Sequence, residues 1–213
     1  MTLGPLDPRP LSQVAAAAPF TGNAVPVLIV PGIDNSGPAH WQTLWENGLP
    51  EAERVEQADW AKPRLADWTA SLAEAIRDRP GAVLVAHSLG CALVAHLLNI
   101  TGGRGVAAAL LVAPADVDDS GRTRRLAPDF APMPRAAFPV PTIVAASRDD
   151  PFVSFGRAQA FAGHWGARFV DLGHAGHVNV DSGHGPWPEG RALFDDLARG
   201  CGAFDGLSGE HAA

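Results

Sequence analysis

A single serine stands between two runs of apolar residues. Residues 81–92 read GAVLVAHSLGCA, which predicts a strand up to Ala86, a sharp turn at Ser88 and a buried helix that begins at Leu89. Such a turn holds the serine side chain above a sheet and needs small flanking residues, as in the nucleophile elbow Gly-x-Ser-x-Gly. Here alanine stands at the first glycine position, a difference of one methyl group, and Gly90 keeps the second.

An elbow serine becomes a nucleophile only if a base and an acid reach it. A serine before a helix is also a common N-cap, so the motif alone leaves a structural interpretation open. In the α/β-hydrolase arrangement an acid and then a histidine follow the serine along the chain. Asp149 and Asp150 follow one predicted strand, and His174 and His177 lie in the glycine-rich loop after the last one.

Two aspartates and two histidines compete for these roles. We favour Asp150, because the acid of such hydrolases commonly precedes an apolar pair, here residues 152–153. We favour His177, because valine and asparagine follow it, as is typical of a catalytic histidine. Asp149 is then expected to be an exposed or helix-capping neighbour, and His174 a surface residue or a neighbour of the site.

These residue types predict acyl transfer through a covalent intermediate. His177 would take the proton of Ser88, Asp150 would fix the histidine tautomer, and the serine would attack an acyl carbonyl before water cleaves the acyl-enzyme. The backbone N–H groups of Leu89 and Ile33 are expected to form the oxyanion hole. The expected substrate is a small carboxylic ester or an amide.

Strands and helices alternate along the chain, and this order decides which loops meet. Strands are predicted at residues 25–30, 52–58, 83–86, 106–113, 142–146 and 167–172. Alternation over this length predicts an α/β fold, a three-layer α/β/α sandwich with a six-stranded parallel sheet. Ligands of such sheets bind at the carboxyl ends of the strands, where all the candidate residues lie.

Seven more residues are candidates for lining the pocket. They are Asn35, Ser36, His40, Trp41, Phe130, Phe138 and Trp187. The first four either line the pocket or pack a loop beneath the sheet. The two phenylalanines lie in the proline-rich segment 115–139, which is expected to roof the pocket. A tryptophan in the setting of Trp187 is more often a core anchor than a substrate contact. His87 and His96 are expected to be structural.

Length and composition predict one domain over residues 25–201, because 213 residues with 46% hydrophobic content can bury a full core. A flexible leader (1–24) and a frayed tail (202–213) are expected on either side. The leader has one basic residue and lacks the roughly twenty apolar residues of a membrane span. Two cysteines, Cys91 and Cys201, indicate buried thiols in a reducing cytoplasm, although a disulfide between them stays open.

Charge and spacing exclude several kinds of ligand. The formal net charge is −7 and the chain has no Lys/Arg-rich run, which argues against nucleic acid or an anionic membrane as a partner. The glycine-rich segments lack a P-loop lysine, so nucleotide binding is not expected. No zinc pattern fits His174, His177, Asp181 and His184. We therefore expect neither a cofactor nor a metal.

Several segments together resemble a known family. They are residues 30–32, 36–41, 59–60, 63–68, 86–90, 147–152, 176–179 and 182–190. Over about residues 25–201 the chain resembles the small serine-hydrolase family typified by retinoblastoma-binding protein nine, in its bacterial branch. The resemblance implies a minimal α/β-hydrolase fold without the first two strands or a large lid, a triad at Ser88, Asp150 and His177, and carboxylesterase-like or sometimes aminopeptidase-like activity. Ala86 departs from the family's glycine.

Two other functions stay open at this point. The chain can be a catalytically weak or inactive module that binds a protein partner, since a fold does not fix a function. No Leu-x-Cys-x-Glu motif for retinoblastoma binding supports this alternative. The third hypothesis is a cofactor-free peroxidase that uses the same three residues.

Overall fold

A computed structural model of the protein describes residues 25–119 and 121–200. The predicted leader (1–24) and tail (202–213) lie outside the described residues and stay predictions, as does a pairing of Cys91 with Cys201. The side chain of Cys91 is buried, and its sulfur lies 3.3 Å from the carbonyl oxygen of Val112.

Six parallel strands form one sheet in the described part of the chain. They are β1 (Val27–Val30), β2 (Ala52–Arg54), β3 (Ala82–His87), β4 (Val106–Val112), β5 (Thr142–Ala146) and β6 (Arg168–Asp171), in the order β2-β1-β3-β4-β5-β6. The predicted six-stranded parallel sheet is thereby confirmed. The four inner strands are almost continuously apolar, because helices cover both faces of a parallel sheet. The strand predicted at 52–58 is shorter in the structure and ends at Arg54. It lies at the edge of the sheet, where its polar residues are tolerated.

The described residues form six helices, of which five cover the two faces of the sheet and the fourth lies over the carboxyl ends of the strands. They are α1 (Trp41–Gly48), α2 (Leu65–Asp78), α3 (Leu89–Thr101), α4 (Gly121–Leu126), α5 (Phe155–Trp165) and α6 (Pro188–Gly200), with 3₁₀ turns at Pro128–Phe130 and Val180–Ser182. Successive strand residues point to opposite faces. Leu28 and Val30 therefore pack with α2, α3 and α5, whereas Val27 and Ile29 pack with α1 and α6. The three predicted layers follow from this alternation.

The segment 115–139 is tied to α5 by one arginine. Arg157 donates two hydrogen bonds to Asp116, at 2.7 and 2.9 Å, and a third to Asp118 at 3.0 Å. The side chain of Asp116 is 4% exposed. Asp118 also accepts a hydrogen bond from the backbone N–H of Met133. The ionic contact therefore holds the start of the segment against α5, and the hydrogen bond of Met133 ties a later part of the segment to that start.

No helix among the described residues combines the length and the apolar character that crossing a membrane requires.

Arg157→Met should destabilise the protein, because it leaves the buried carboxylate of Asp116 without its cation. The expected loss in the free energy of unfolding is about 3 kcal/mol. The matched control is Arg168→Met, which removes an ion pair with Asp196 whose side chains are 39% and 56% exposed. That pair should contribute under about 1 kcal/mol. Urea unfolding at one pH measures both, and equal losses would contradict a bracing role for Arg157.

Candidate active site

Ser88 occupies a strained turn between β3 and α3. Its φ of 55° and ψ of −122° lie in a region that residues with a side chain seldom adopt. It stands at the N-cap position of α3, yet its side chain makes no capping hydrogen bond. The structural interpretation of this serine as a helix cap therefore does not hold. Strain of this kind is kept where the surrounding structure fixes the residue for another purpose.

The serine begins a chain of three hydrogen-bonded side chains. Ser88 Oγ lies 2.9 Å from His177 Nε2, and His177 Nδ1 lies 2.9 and 3.0 Å from the two carboxylate oxygens of Asp150. The Asp150 side chain is fully buried and also accepts a hydrogen bond from the N–H of Phe152. A carboxylate only accepts, so Nδ1 carries the proton and Nε2 is left to accept from the serine. The structure thus brings the three favoured residues together.

The two competing residues lie beside this chain and do not join it. Asp149 accepts hydrogen bonds from the hydroxyl of Ser147 at 2.5 Å and the backbone N–H of Gly176 at 2.9 Å. These two bonds, the first more strongly, lower the pKa of Asp149. His174 is 76% exposed and 3.7 Å from Asp149. Asp149 therefore braces the loop that carries His177. The sequence predicted only an exposed or helix-capping residue at this position.

Two glycines allow the loop after β1 to lie against the elbow. A Cβ on Gly32 would stand 2.8 Å from Ser88 Cβ and 3.1 Å from Leu89 N. A Cβ on Gly90 would overlap the backbone oxygen of Val30. The methyl group of Ala86, by contrast, is buried in the apolar core. The alanine that departs from the elbow motif therefore stands at the more tolerant of the two positions.

The backbone N–H groups of Ile33 and Leu89 lie on the two sides of this close approach. Neither donates a hydrogen bond to any described residue, whereas the neighbouring N–H groups of Asp34, Asn35 and Ser88 all do. An amide without a partner beside a candidate nucleophile is available to a substrate oxygen.

A cleft of about 340 Å³ opens above Ser88. Its walls come from the loop after β1, the elbow, α4, the loop after β5 and the loop of His177. The lining residues are Ile33, Asp34, Asn35, His40, His87, Ser88, Arg122, Thr123, Leu126, Phe152, His177, Asn179 and Asp181. The contribution of α4 agrees with the roof expected from segment 115–139. Among the predicted pocket residues, Asn35 and His40 line this cleft.

The other five candidates do not line this cleft. For Ser36, Trp41 and Trp187 the structure agrees with the packing alternative, whereas the two phenylalanines were expected to contact the substrate. Phe130 is fully buried against Trp68 and His96, and Phe138 stacks on Trp165. These two residues fill the core beneath the roof instead of facing the substrate.

The remaining three support the site from behind. Ser36 is buried and donates its hydroxyl to Gln42 Oε1 at 2.7 Å. Trp187 packs against Trp41 and Trp45, which makes it the core anchor considered above. Trp41 is itself fully buried. The sequence placed these side chains near the site without showing which way they point.

Two consecutive carbonyl groups in the loop of His177 are held by distant side chains. His87 Nε2–H donates to the carbonyl oxygen of His177 at 2.8 Å, and Trp41 Nε1–H donates to that of Val178 at 2.9 Å. Val178 has a φ of 49°, which is unfavourable for a β-branched residue. The two hydrogen bonds therefore hold a strained turn that aims the imidazole at Ser88. Sequence reasoning missed this role of His87, because its partner lies 90 residues away.

Three imidazole rings lie together at the base of the cleft. The ring of His87 is 4.9 Å from that of His40 and 4.8 Å from that of His177. Burial, and next the charge of Arg54, lower the pKa of His40 to about 4. Burial also lowers the pKa of His87 well below its ordinary value. Both rings are therefore neutral at pH 7 and place no fixed positive charge beside His177.

Within residues 25–119 and 121–200, no group of three or more His, Cys, Asp or Glu side chains is arranged to hold a metal ion.

A family model for serine hydrolases matches residues 27–196 of this chain. Among curated proteins, none matches the chain.

Several solved structures are similar to this protein. A YdeN-like hydrolase of Pectobacterium atrosepticum is 30% identical, with 90% of this chain and 96% of that chain covered and a TM-score of 0.75. The ydeN gene product of Bacillus subtilis is 22% identical over 83% of this chain and 100% of that chain, with a TM-score of 0.71. Esterase 2 of Thermogutta terrifontis is 18% identical over 88% of each chain, with a TM-score of 0.63. The similarity to the last two structures establishes that they share the fold of this protein.

Gly90→Ala should destabilise the protein more than Ala86→Gly. The added methyl group of the first variant meets the backbone of β1, so we expect a loss of about 3 kcal/mol in the free energy of unfolding. The second variant only adds backbone freedom and removes one buried methyl group, for about 1 kcal/mol. Urea unfolding compares the two, and the reverse order would show that the elbow is less crowded than described.

Stability should fall on acidification through His40. Its pKa is about 4 in the folded protein and about 6.5 when unfolded, so the unfolded chain binds the proton first as the pH drops below 6.5. This difference should cost roughly 2 kcal/mol of stability between pH 8 and pH 5. His40→Asn keeps an acceptor for the N-cap of α1 and removes the titration.

Urea unfolding of wild type and His40→Asn at pH 8 and pH 5 checks this expectation. His87 remains in both proteins, so the difference between their pH dependences reports on His40 together with its effect on the neighbouring His87. Equal losses of stability in the two proteins would contradict the effect.

Proposed function

The chain belongs to the serine hydrolase family, as its sequence motifs predicted, and we propose that it cleaves small carboxylic esters, or amides by the same route, through an acyl-enzyme on Ser88. One observation carries the proposal. Hydrogen bonds of about 2.9 Å run from the Ser88 hydroxyl through His177 to the buried carboxylate of Asp150. This order of alcohol, imidazole and carboxylate is what activation of a serine requires.

The first half of the reaction forms the acyl-enzyme. Ser88 Oγ attacks the acyl carbon while His177 Nε2 takes its proton, and Asp150 stabilises the imidazolium through Nδ1–H. The carbonyl oxygen becomes an oxyanion, which the N–H groups of Leu89 and Ile33 bind. Each such donor contributes roughly 3 kcal/mol to the stability of the transition state in comparable sites. The imidazolium then gives its proton to the leaving alcohol or amine.

The second half returns the free enzyme. Water enters where the leaving group departed, His177 takes a proton from it, and the resulting hydroxide attacks the acyl carbon. The tetrahedral intermediate collapses to the carboxylic acid and releases Ser88 Oγ, which regains the proton from the imidazolium. A cleft of about 340 Å³ lies at the small end of the range for small-molecule sites, which supports a small substrate.

Ser88→Ala should abolish hydrolysis, because the nucleophile is gone. We expect turnover of p-nitrophenyl butyrate to fall by on the order of 10⁴–10⁶-fold. A fluorophosphonate probe should label the wild type and leave this variant unlabelled. Absence of labelling in the wild type, or equal labelling of both, would overturn the proposal.

A histidine pair in one loop provides a matched control. His177→Ala should lose activity on a scale similar to the serine variant, because the base is removed. His174→Ala should retain the activity of the wild type, since that side chain is 76% exposed and outside the hydrogen-bonded chain. Comparable losses of activity in the two variants would contradict the role of His177 as the general base.

The same assays decide between this function and the alternatives. Turnover that depends on His177 speaks against an inactive protein-binding module, and a bromination assay tests the peroxidase hypothesis. A protein partner and a cytoplasmic location stay predictions.

A further inference from the structure

Asn35 lies in the loop after β1 in a backbone conformation that few residues adopt. Its φ is 63°, and that of the preceding Asp34 is also 63°. Two consecutive left-handed residues with side chains cost free energy, and such strain persists where the surrounding structure imposes it, often at functional sites. Asn35 lines the cleft of Ser88 and stands two residues after Ile33.

The side-chain amide of Asn35 has a fixed orientation. Its Oδ1 accepts hydrogen bonds from Arg54 Nη1 at 2.5 Å and from the backbone N–H of Ser36 at 2.7 Å. Both partners are obligate donors, so the atom that faces them must be the oxygen. The Nδ2 amino group therefore lies on the opposite side of the amide. No described residue accepts a hydrogen bond from it.

The arginine that holds this amide is itself held on several sides. Its side chain is 8% exposed and forms an ion pair with Glu46 at 2.6 Å. It also donates to the carbonyl oxygen of Ser36 at 2.9 Å and to the hydroxyl of Thr43 at 2.7 Å. A buried guanidinium with its donors aimed at fixed acceptors has little freedom to rotate. Arg54 therefore fixes the amide of Asn35 before any ligand arrives.

We propose that Asn35 is a catalytic residue whose Nδ2–H donates a hydrogen bond to the carbonyl oxygen of the reacting acyl group, and that Arg54 is the positioning residue that holds it. This inference rests on the function proposed for Ser88. The amide supplies a third donor beside the N–H groups of Ile33 and Leu89. A dipole fixed in advance stabilises the developing oxyanion without reorganisation, so its effect belongs to the transition state.

Asn35→Asp tests the donor with the least disturbance. The carboxylate keeps an acceptor for Arg54 and Ser36 and tolerates the left-handed backbone, but it has no Nδ2–H. Asn35→Gly removes the whole side chain and adopts a φ of 63° without strain. Turnover of p-nitrophenyl butyrate should show kcat lowered by about 10²–10³-fold in both variants, with KM nearly unchanged. Thermal melting checks that both variants fold.

Arg54→Met then separates positioning from a purely structural role. Alone it should lower kcat, because the amide of Asn35 is free to rotate. In the Asn35→Gly background the same substitution should cause no further loss of kcat, since the group it positions is absent. A structural role would give losses that add in the double variant.

The outcomes distinguish this inference from the function on which it rests. A wild type that hydrolyses no ester overturns both. An active wild type whose Asn35 variants keep their kcat, or change only KM, overturns the role of Asn35 and leaves the proposed function intact. The role of Asn35 is supported if both Asn35 variants lose kcat and if Arg54→Met causes no further loss of kcat in the Asn35→Gly background.

Discussion

The site depends on the contact between two backbone segments, the loop after β1 and the elbow after β3. Gly32 and Gly90 permit this contact, because a side chain on either residue would meet the opposite backbone. At this contact Ser88 has a positive φ, and the amides of Ile33 and Leu89 donate no hydrogen bond to any described residue. A rigid parallel sheet is well suited to hold such a contact, since β1 and β3 are neighbours joined by backbone hydrogen bonds.

The loop of His177 has a different support, because side chains from three other parts of the chain fix it. His87, Trp41 and Asp149 bind the backbone of residues 176–178. The two histidines beside this loop, His40 and His87, have pKa values lowered by burial. Their neutral rings fill the base of the cleft without repelling an imidazolium at His177. The buried carboxylate of Asp150 therefore provides the charge in direct contact with that ring.

The sequence was informative wherever a pattern is local. Apolar runs of the length of a strand predicted the sheet. Chain order, with the residues that follow each candidate, selected Ser88, Asp150 and His177, which the structure brings within hydrogen-bonding distance. Their catalytic roles stay a proposal. The proline-rich segment has no repeating pattern that shows which way its side chains face. Phe130 and Phe138 were therefore expected in the pocket, although they pack in the core. The sequence also did not reveal the contacts of Arg54, because its partners lie on other elements.

The free donors around Ser88 point to what the cleft binds. Folded proteins pair nearly all buried polar groups, since an unpaired one costs free energy. The N–H groups of Ile33 and Leu89 and the amino group of Asn35 donate no hydrogen bond to any described residue, and Ile33 and Asn35 line the cleft of Ser88. Arg54 occupies the amide oxygen of Asn35, so the amino group is the part of this amide that is left for a ligand. A ligand that satisfies these donors must bring an oxygen acceptor, and its affinity rises as negative charge grows on that oxygen. This supports the proposed acyl transfer at Ser88, whose transition state carries more negative charge on that oxygen than the bound substrate does.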